Sequence, residues 1–133
     1  MANGFQGTTQ EWDKMEAPLL PLDEALTRFA QEKQVELEKN YHSVPNRRLT
    51  WDHEGITRSI QITLEDENKQ TLYVTFFAWQ DKDQERYGKW VRQIDGLSSD
   101  KLVHDIAQLL EEGYETLALI STDDLEFWQR LGR

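Results

Sequence analysis

Two successive runs of alternating residues constrain this chain more than anything else in it. Residues 56–65 place Ile56, Ile60, Ile62 and Leu64 on one side of an extended strand and Thr57, Ser59, Gln61, Thr63 and Glu65 on the other, with Arg58 alone breaking the apolar side. After a polar turn over 66–70, residues 71–80 carry Leu72, Val74, Phe76 and Ala78 on one side and Tyr73, Phe77 and Trp79 on the other. A strand with two apolar faces belongs inside a sheet. Facing residues of an antiparallel pair lie on the same side, so the two aliphatic sides must coincide. Parity then pairs Leu64 with Leu72, Ile62 with Val74 and Ile60 with Phe76, around a turn centred near Asn68. The reverse face pairs Thr63 with Tyr73, Gln61 with Thr75, Ser59 with Phe77 and Thr57 with Trp79. That face is too apolar for an ordinary solvated surface and too hydroxylic for an ordinary core.

Residues 48–53 alternate Leu49, Trp51 and His53 against Thr50 and Asp52, and they reach the next strand through an even-numbered turn, either Glu54-Gly55 or residues 52–55. Both turns put Trp51 on the aliphatic side beside Arg58. A stacked pair there is worth roughly 0.5–2 kcal/mol and accounts for the break in pattern. The rival reading makes Trp51 and Arg58 the lining of a pocket, with Arg58 clamping an anion. A further strand is expected over 89–94.

Helical spacing of Leu22, Ala25, Leu26, Phe29, Ala30, Leu37 and Tyr41 predicts a helix over 23–41, with Asp23 as N-cap and Val44-Pro45 as its stop. A second helix, capped by Ser98 or Ser99, carries the stripe Leu102, Val103, Ile106, Leu109 and Leu110 and is expected to close at Gly113. Residues 117–120 read as a buried fifth strand, and a last helix follows with Leu125, Trp128 and Leu131 inward. The expectation is a single α+β domain over 21–133, in the order αββββαβα. Its sheet is mainly antiparallel, with four or five strands and helices packed on one face. Residues 1–20 read as a flexible lead-in; they carry no basic start and no apolar run, so no signal peptide is expected.

Chemistry narrows the function by exclusion. The chain has 133 residues with 25 acidic against 15 basic side chains, a net charge of −10, and its mean field repels phosphate and anionic membrane. Five Trp, four Tyr and five Phe supply a core that an acidic disordered chain lacks. The absence of cysteine removes thiol nucleophiles and thiolate metal sites and suits the cytoplasm. His42, His53 and His104 have no metal spacing, and Asp81, Asp83 and Glu85 start like a calcium loop that then fails at Arg86 and Arg92. No nucleophile-elbow, Walker or dinucleotide motif occurs, so no cofactor is expected and a binding protein is favoured over an enzyme.

The charge is nevertheless segregated. Arg86, Lys89 and Arg92 outweigh Asp95, and Arg47, Arg48 and Arg58 outweigh Asp52 and Glu54, so three of the predicted strands lie in positive stretches while the helices and the loops flanking the strand over 71–80 hold the acid. Basic and aromatic residues interleave over 86–92, but alternation splits that cluster between two faces, which argues against nucleic acid as partner. The favoured function is a small cytoplasmic protein–protein interaction module, of adaptor, inhibitor, immunity or chaperone type. Tyr73, Phe77, Trp79, Trp90 and Arg92 are its candidate anchors, and another protein or a second copy is the partner. The alternative is a small-molecule binder or enzyme with an apolar pocket between the first helix and the sheet.

Overall fold

The computed structural model describes residues 7–41, 44–66, 69–80, 87–95 and 101–120. Strands β1 (Glu36–Lys39), β2 (Asn46–His53), β3 (Ile56–Asp66), β4 (Lys69–Gln80) and β5 (Tyr87–Asp95) form one antiparallel sheet whose spatial order is the chain order. Helices α1 (Thr9–Glu16) and α2 (Asp23–Lys33), separated by a 3-10 turn at Leu20–Leu22, precede the sheet, and α3 (Leu102–Ala118) follows it.

The register between β3 and β4 is the one parity demands, from Thr57 opposite Trp79 to Leu64 opposite Leu72. A bulge between Leu64 and Asp66 then brings Asp66 opposite Lys69; the turn at 67–68 lies outside the described residues. Strands β2 and β3 close on Glu54-Gly55, both at positive φ (55° and 77°). That backbone suits the right-handed twist of a two-residue hairpin and explains the glycine. It sets Trp51 opposite Arg58.

The core forms on the aliphatic side. Leu49, Ile60, Ile62, Leu72, Val74, Phe76 and Ala78 of the sheet meet Leu22 from the 3-10 turn, Leu26 and Phe29 from α2 and Leu102, Ile106, Leu110 and Leu117 from α3. Each large member contributes about 1.5–3 kcal/mol by leaving water. The chain is thus an α+β domain with helices packed on a five-stranded antiparallel sheet, but its element order differs from αββββαβα in three places.

The predicted helix over 23–41 stops at Lys33. Gln34 turns left-handed (φ 57°), and its N–H and that of Val35 both donate to the Ala30 carbonyl. The chain then becomes strand β1, with Leu37 opposite Leu49. Val35 and Leu37 satisfy alternation as well as Leu37 and Tyr41 satisfy a helical stripe, and β-branched Val35 lies off that stripe. Asp23 is the first helical residue, not the cap; the N-cap position is Leu22, and the Asp23 carboxylate turns to Arg47 instead.

The second difference is at Gly113, which does not close α3. It continues the buried stripe that runs from Ile106 through Leu110 to Leu117, so residues 117–118 end a helix and the expected strand over 117–120 does not form. A Cβ at position 113 would overlap the Phe76 ring, so the missing side chain is what lets α3 lie down on β4. The N-cap position of α3 is Lys101, so the helix starts later than a cap at Ser98 or Ser99 would place it; those two serines and the last predicted helix lie outside the described residues. The third difference lies within the stretch read as a lead-in, where residues 9–16 form α1, capped by the Thr8 hydroxyl, and Leu19 is fully buried.

Candidate partner-binding face

The sheet side away from the aliphatic core carries Tyr73, Thr75, Phe77 and Trp79 from β4 and Thr57, Gln61 and Thr63 from β3, all half-buried. At its β2 margin the Arg48 guanidinium stacks 3.9 Å from the Tyr41 ring centre and lies 5.7 Å from that of Trp79. Arg48 Nε donates to the buried Ser59 Oγ (2.9 Å), which also shares a proton with Thr50 Oγ1 (3.3 Å). A planar, weakly hydrated guanidinium is suited to lie on rings in this way. Arg48 is not singled out by the sequence pattern, although it shares the side of Thr50 and stands opposite Gln61.

The five candidate anchors do not share a face. Register places position 90 opposite Phe76 and position 92 opposite Val74, on the aliphatic side, while Tyr73, Phe77 and Trp79 lie on the reverse side. From β5 the aromatic side is joined by Val91, opposite Thr75 and 46% exposed, by Gln93, opposite Tyr73, and by positions 89 and 87, opposite Phe77 and Trp79. Arg92 is exposed too.

Trp51 and Arg58 face each other across the ladder, but each is held by groups from elsewhere. The Trp51 ring packs on Tyr114 (centres 5.0 Å apart, 32° between planes), and Tyr114 meets Phe29 edge-on at 5.8 Å. Arg58, 2% exposed, donates from Nε to the Leu117 carbonyl (2.6 Å), from NH2 to that of Ile120 (3.0 Å), and from NH1 to those of His53 (2.9 Å) and Ile56 (3.2 Å). It therefore caps the C-terminal end of α3, where the helix dipole is negative. An anion clamp needs donors aimed at a cavity, and these are aimed at carbonyls. The cleft between α2 and α3, about 130 Å³, is lined by Ala25, Arg28, Phe29, Glu32, Ala107, Leu110 and Glu111 and by neither Trp51 nor Arg58. It falls below the roughly 300 Å³ at which ligand pockets begin. A hollow of about 360 Å³ is lined by Asp23, Glu24, Thr27, Arg28 and Gln31, all from α2, and is open surface.

A second buried arginine, Arg47 (1% exposed), anchors the other end of β2. Its Nε and NH2 grip both oxygens of Asp23 (2.6 and 3.2 Å), NH2 also reaches Glu16 Oε2 (3.2 Å), and NH1 donates to Asn40 Oδ1 (3.1 Å) and to the Asn46 carbonyl (2.8 Å). Partial burial by itself raises the pKa of both carboxyls. For Glu16, hydrogen bonds from Asn40 and Trp12 and the Arg47 charge outweigh it, and for Asp23 the Arg47 bonds and charge with Lys39 do so. Both end below the ordinary carboxylate range.

Among the described residues no three His, Asp or Glu side chains converge as metal ligands, and no helix is long and apolar enough to cross a membrane. No protein-family model, curated protein or solved structure matches the chain.

Proposed function

We propose that this chain is a small protein–protein interaction module of the cytoplasm, of adaptor, inhibitor, immunity or chaperone type, that presents the aromatic side of its sheet to another protein. The observation that carries the reading is Tyr73, Phe77 and Trp79 on one strand, half-buried, on the side opposite the helix-packed core, with Arg48 stacked at their margin. Aromatic and arginine side chains on a rigid sheet lose little entropy on docking and give up large apolar area, which is why they dominate interface energetics. A cysteine-free chain suits the reducing compartment.

The test is Phe77→Ser with Trp79→Ser, compared with Thr27→Ala with Gln31→Ala on the exposed side of α2. Cross-linking in cells of the native host, read by mass spectrometry, should give a reproducible protein partner that the α2 variant keeps and the sheet variant loses while retaining its circular dichroism. A sheet variant that unfolds, or that keeps the partner, overturns the proposal.

A further inference from the structure

The two edges of the sheet differ in how they treat an added strand. Strand β1 has four residues, of which Glu36, Glu38 and Lys39 are exposed, and it ends at left-handed Asn40; a short, charged edge resists pairing. Strand β5 closes the described order on the other side with nine residues, and its middle residue is the exposed Val91.

An antiparallel strand can pair with its own copy about a two-fold axis normal to the sheet. The β5 sequence suits one such register. With Val91 opposite Val91, position 87 faces 95, 88 faces 94, 89 faces 93 and 90 faces 92, so all nine residues are used. Arg92 then stands opposite Trp90 on both sides of the axis, and Lys89 stands opposite Gln93 and diagonal to Asp95. No like charges face each other directly. Facing residues must share a side, so the neighbouring registers lie two residues away: one sets Arg92 against Arg92 on the axis, and the other sets Trp90 against Trp90, leaves Arg92 opposite Gly88 and uses only residues 87–93.

We propose that β5 pairs antiparallel with β5 of a second copy of this chain, about a two-fold axis through Val91. The axis keeps each face on its own side, so the two aromatic faces run on into one another and the two helix layers stay together. This proposal stands apart from the reading of the aromatic face, since it concerns the strand edge.

Sedimentation equilibrium of the full chain over a wide concentration range tests it, with Val91→Lys and Val91→Glu measured separately and as an equal mixture. The wild type should dimerise. Each variant alone should dissociate at least about tenfold more readily, because its two like charges meet on the axis. The mixture should recover an affinity within about threefold of wild type, because opposite charges then face each other. Hydrogen exchange on the wild type is independent of any substitution: β5 amides should gain protection as the dimer forms. A wild type that stays monomeric at its highest soluble concentration overturns the proposal. So does a dimer insensitive to both variants, unchanged protection of β5, or a dimer kept by Val91→Lys but lost by Phe77→Ser with Trp79→Ser.

Discussion

Arg47 and Arg58 occupy opposite ends of the β2–β3 ladder, on the same aliphatic side of the sheet, and each ties a different part of the helical layer to it. Arg47 holds Glu16 at the end of α1 and Asp23 at the start of α2, so its partners are mainly charges. Arg58 holds the last carbonyls of α3 and the carbonyls of its own hairpin, Leu117, Ile120, His53 and Ile56, so these partners are dipoles. A guanidinium leaves water at large cost, and the two sites meet that cost by different means, one with carboxylates and one with a helix end. The carboxylates titrate and remain partly accessible, at 21% for Glu16 and 19% for Asp23. The carbonyls do not titrate. The two ends of one ladder should therefore fail under different conditions.

The largest effect is expected at Arg58. Arg58→Ala takes a charged donor from four carbonyls and opens a cavity, and should cost about 3–5 kcal/mol, measured by denaturant unfolding. Arg58→Lys should recover only part of this, because a compact ammonium cannot reproduce a fork whose nitrogens point at α3 and at the hairpin together. If Arg58→Lys is as stable as wild type, the capping geometry is not what holds α3.

Arg47→Met should cost less, about 2–3 kcal/mol, since the carboxylates it abandons can turn to water. Its signature is in the pH dependence. Glu16 and Asp23 have lower pKa values folded than unfolded, so the unfolded chain takes up protons first as the solution is acidified. Their stabilisation is complete above the unfolded carboxylate range, near about pH 4, and is lost as pH falls through the depressed folded values. Removing Arg47 should flatten this acid limb. It should not abolish it, because Asn40 and Trp12 still donate to Glu16. An acid limb as steep in Arg47→Met as in wild type would assign the acid sensitivity to other carboxylates.

Gly113→Ala probes the Arg58 end from the opposite side of the contact. A helix-interior alanine is intrinsically favoured by roughly 1 kcal/mol, whereas its Cβ would overlap the buried Phe76 ring, and overpacking costs about 1–3 kcal/mol. A Cβ buried this deeply in the ring falls in the upper part of that range, so the overlap should win, for a net loss of up to about 2 kcal/mol. In a Phe76→Leu background the same substitution should cost less, a coupling that a double-mutant cycle reads directly. Additive effects would mean that α3 shifts off β4 without strain.

The difference between the two arginines is only half legible in the sequence. Period-two alternation is local and stiff, so parity makes the aliphatic sides of β3 and β4 coincide and puts Trp51 on the side of Arg58, while the Glu54-Gly55 turn, one of the two that parity allows, sets them directly opposite. The same parity puts Arg47 with Leu49 and Trp51 on the aliphatic side, which marks it as a buried charge in the way the broken pattern marks Arg58. What parity cannot supply is the partner from a distant element. Leu117 and Ile120 lie about sixty positions from Arg58 along the chain, in a stretch whose Leu-Ala-Leu-Ile pattern suits a strand equally well. Gly113 misleads for a related reason: glycine stops helices by default, and its use as a notch for Phe76 becomes visible only once β4 and α3 are in contact. For the aromatic face, alternation places Tyr73, Phe77 and Trp79 together, and applied to β5 it already sets Trp90 and Arg92 on one side. Only the pairing with β4 says which side that is.

The smallest predicted effect tests whether Arg47 couples α1 to the rest. Thr8 accepts the Glu11 amide at 3.1 Å, capping a helix that has no buried residue of its own. Thr8→Ala should weaken α1 by about 0.5–1 kcal/mol. In wild type part of that loss should reach global stability, because Glu16 at the far end of α1 is bonded to Arg47. In Arg47→Met that bond is gone, so the cap substitution should act more locally on α1 and shift the denaturation midpoint less than in wild type. Exchange at the Trp12 amide, which donates to the Thr8 carbonyl at 3.0 Å, reports the local effect in both backgrounds. Equal shifts of the midpoint in the two backgrounds would mean that α1 is held by Met15 against the core and by Glu16 with Asn40, with Arg47 incidental to its docking.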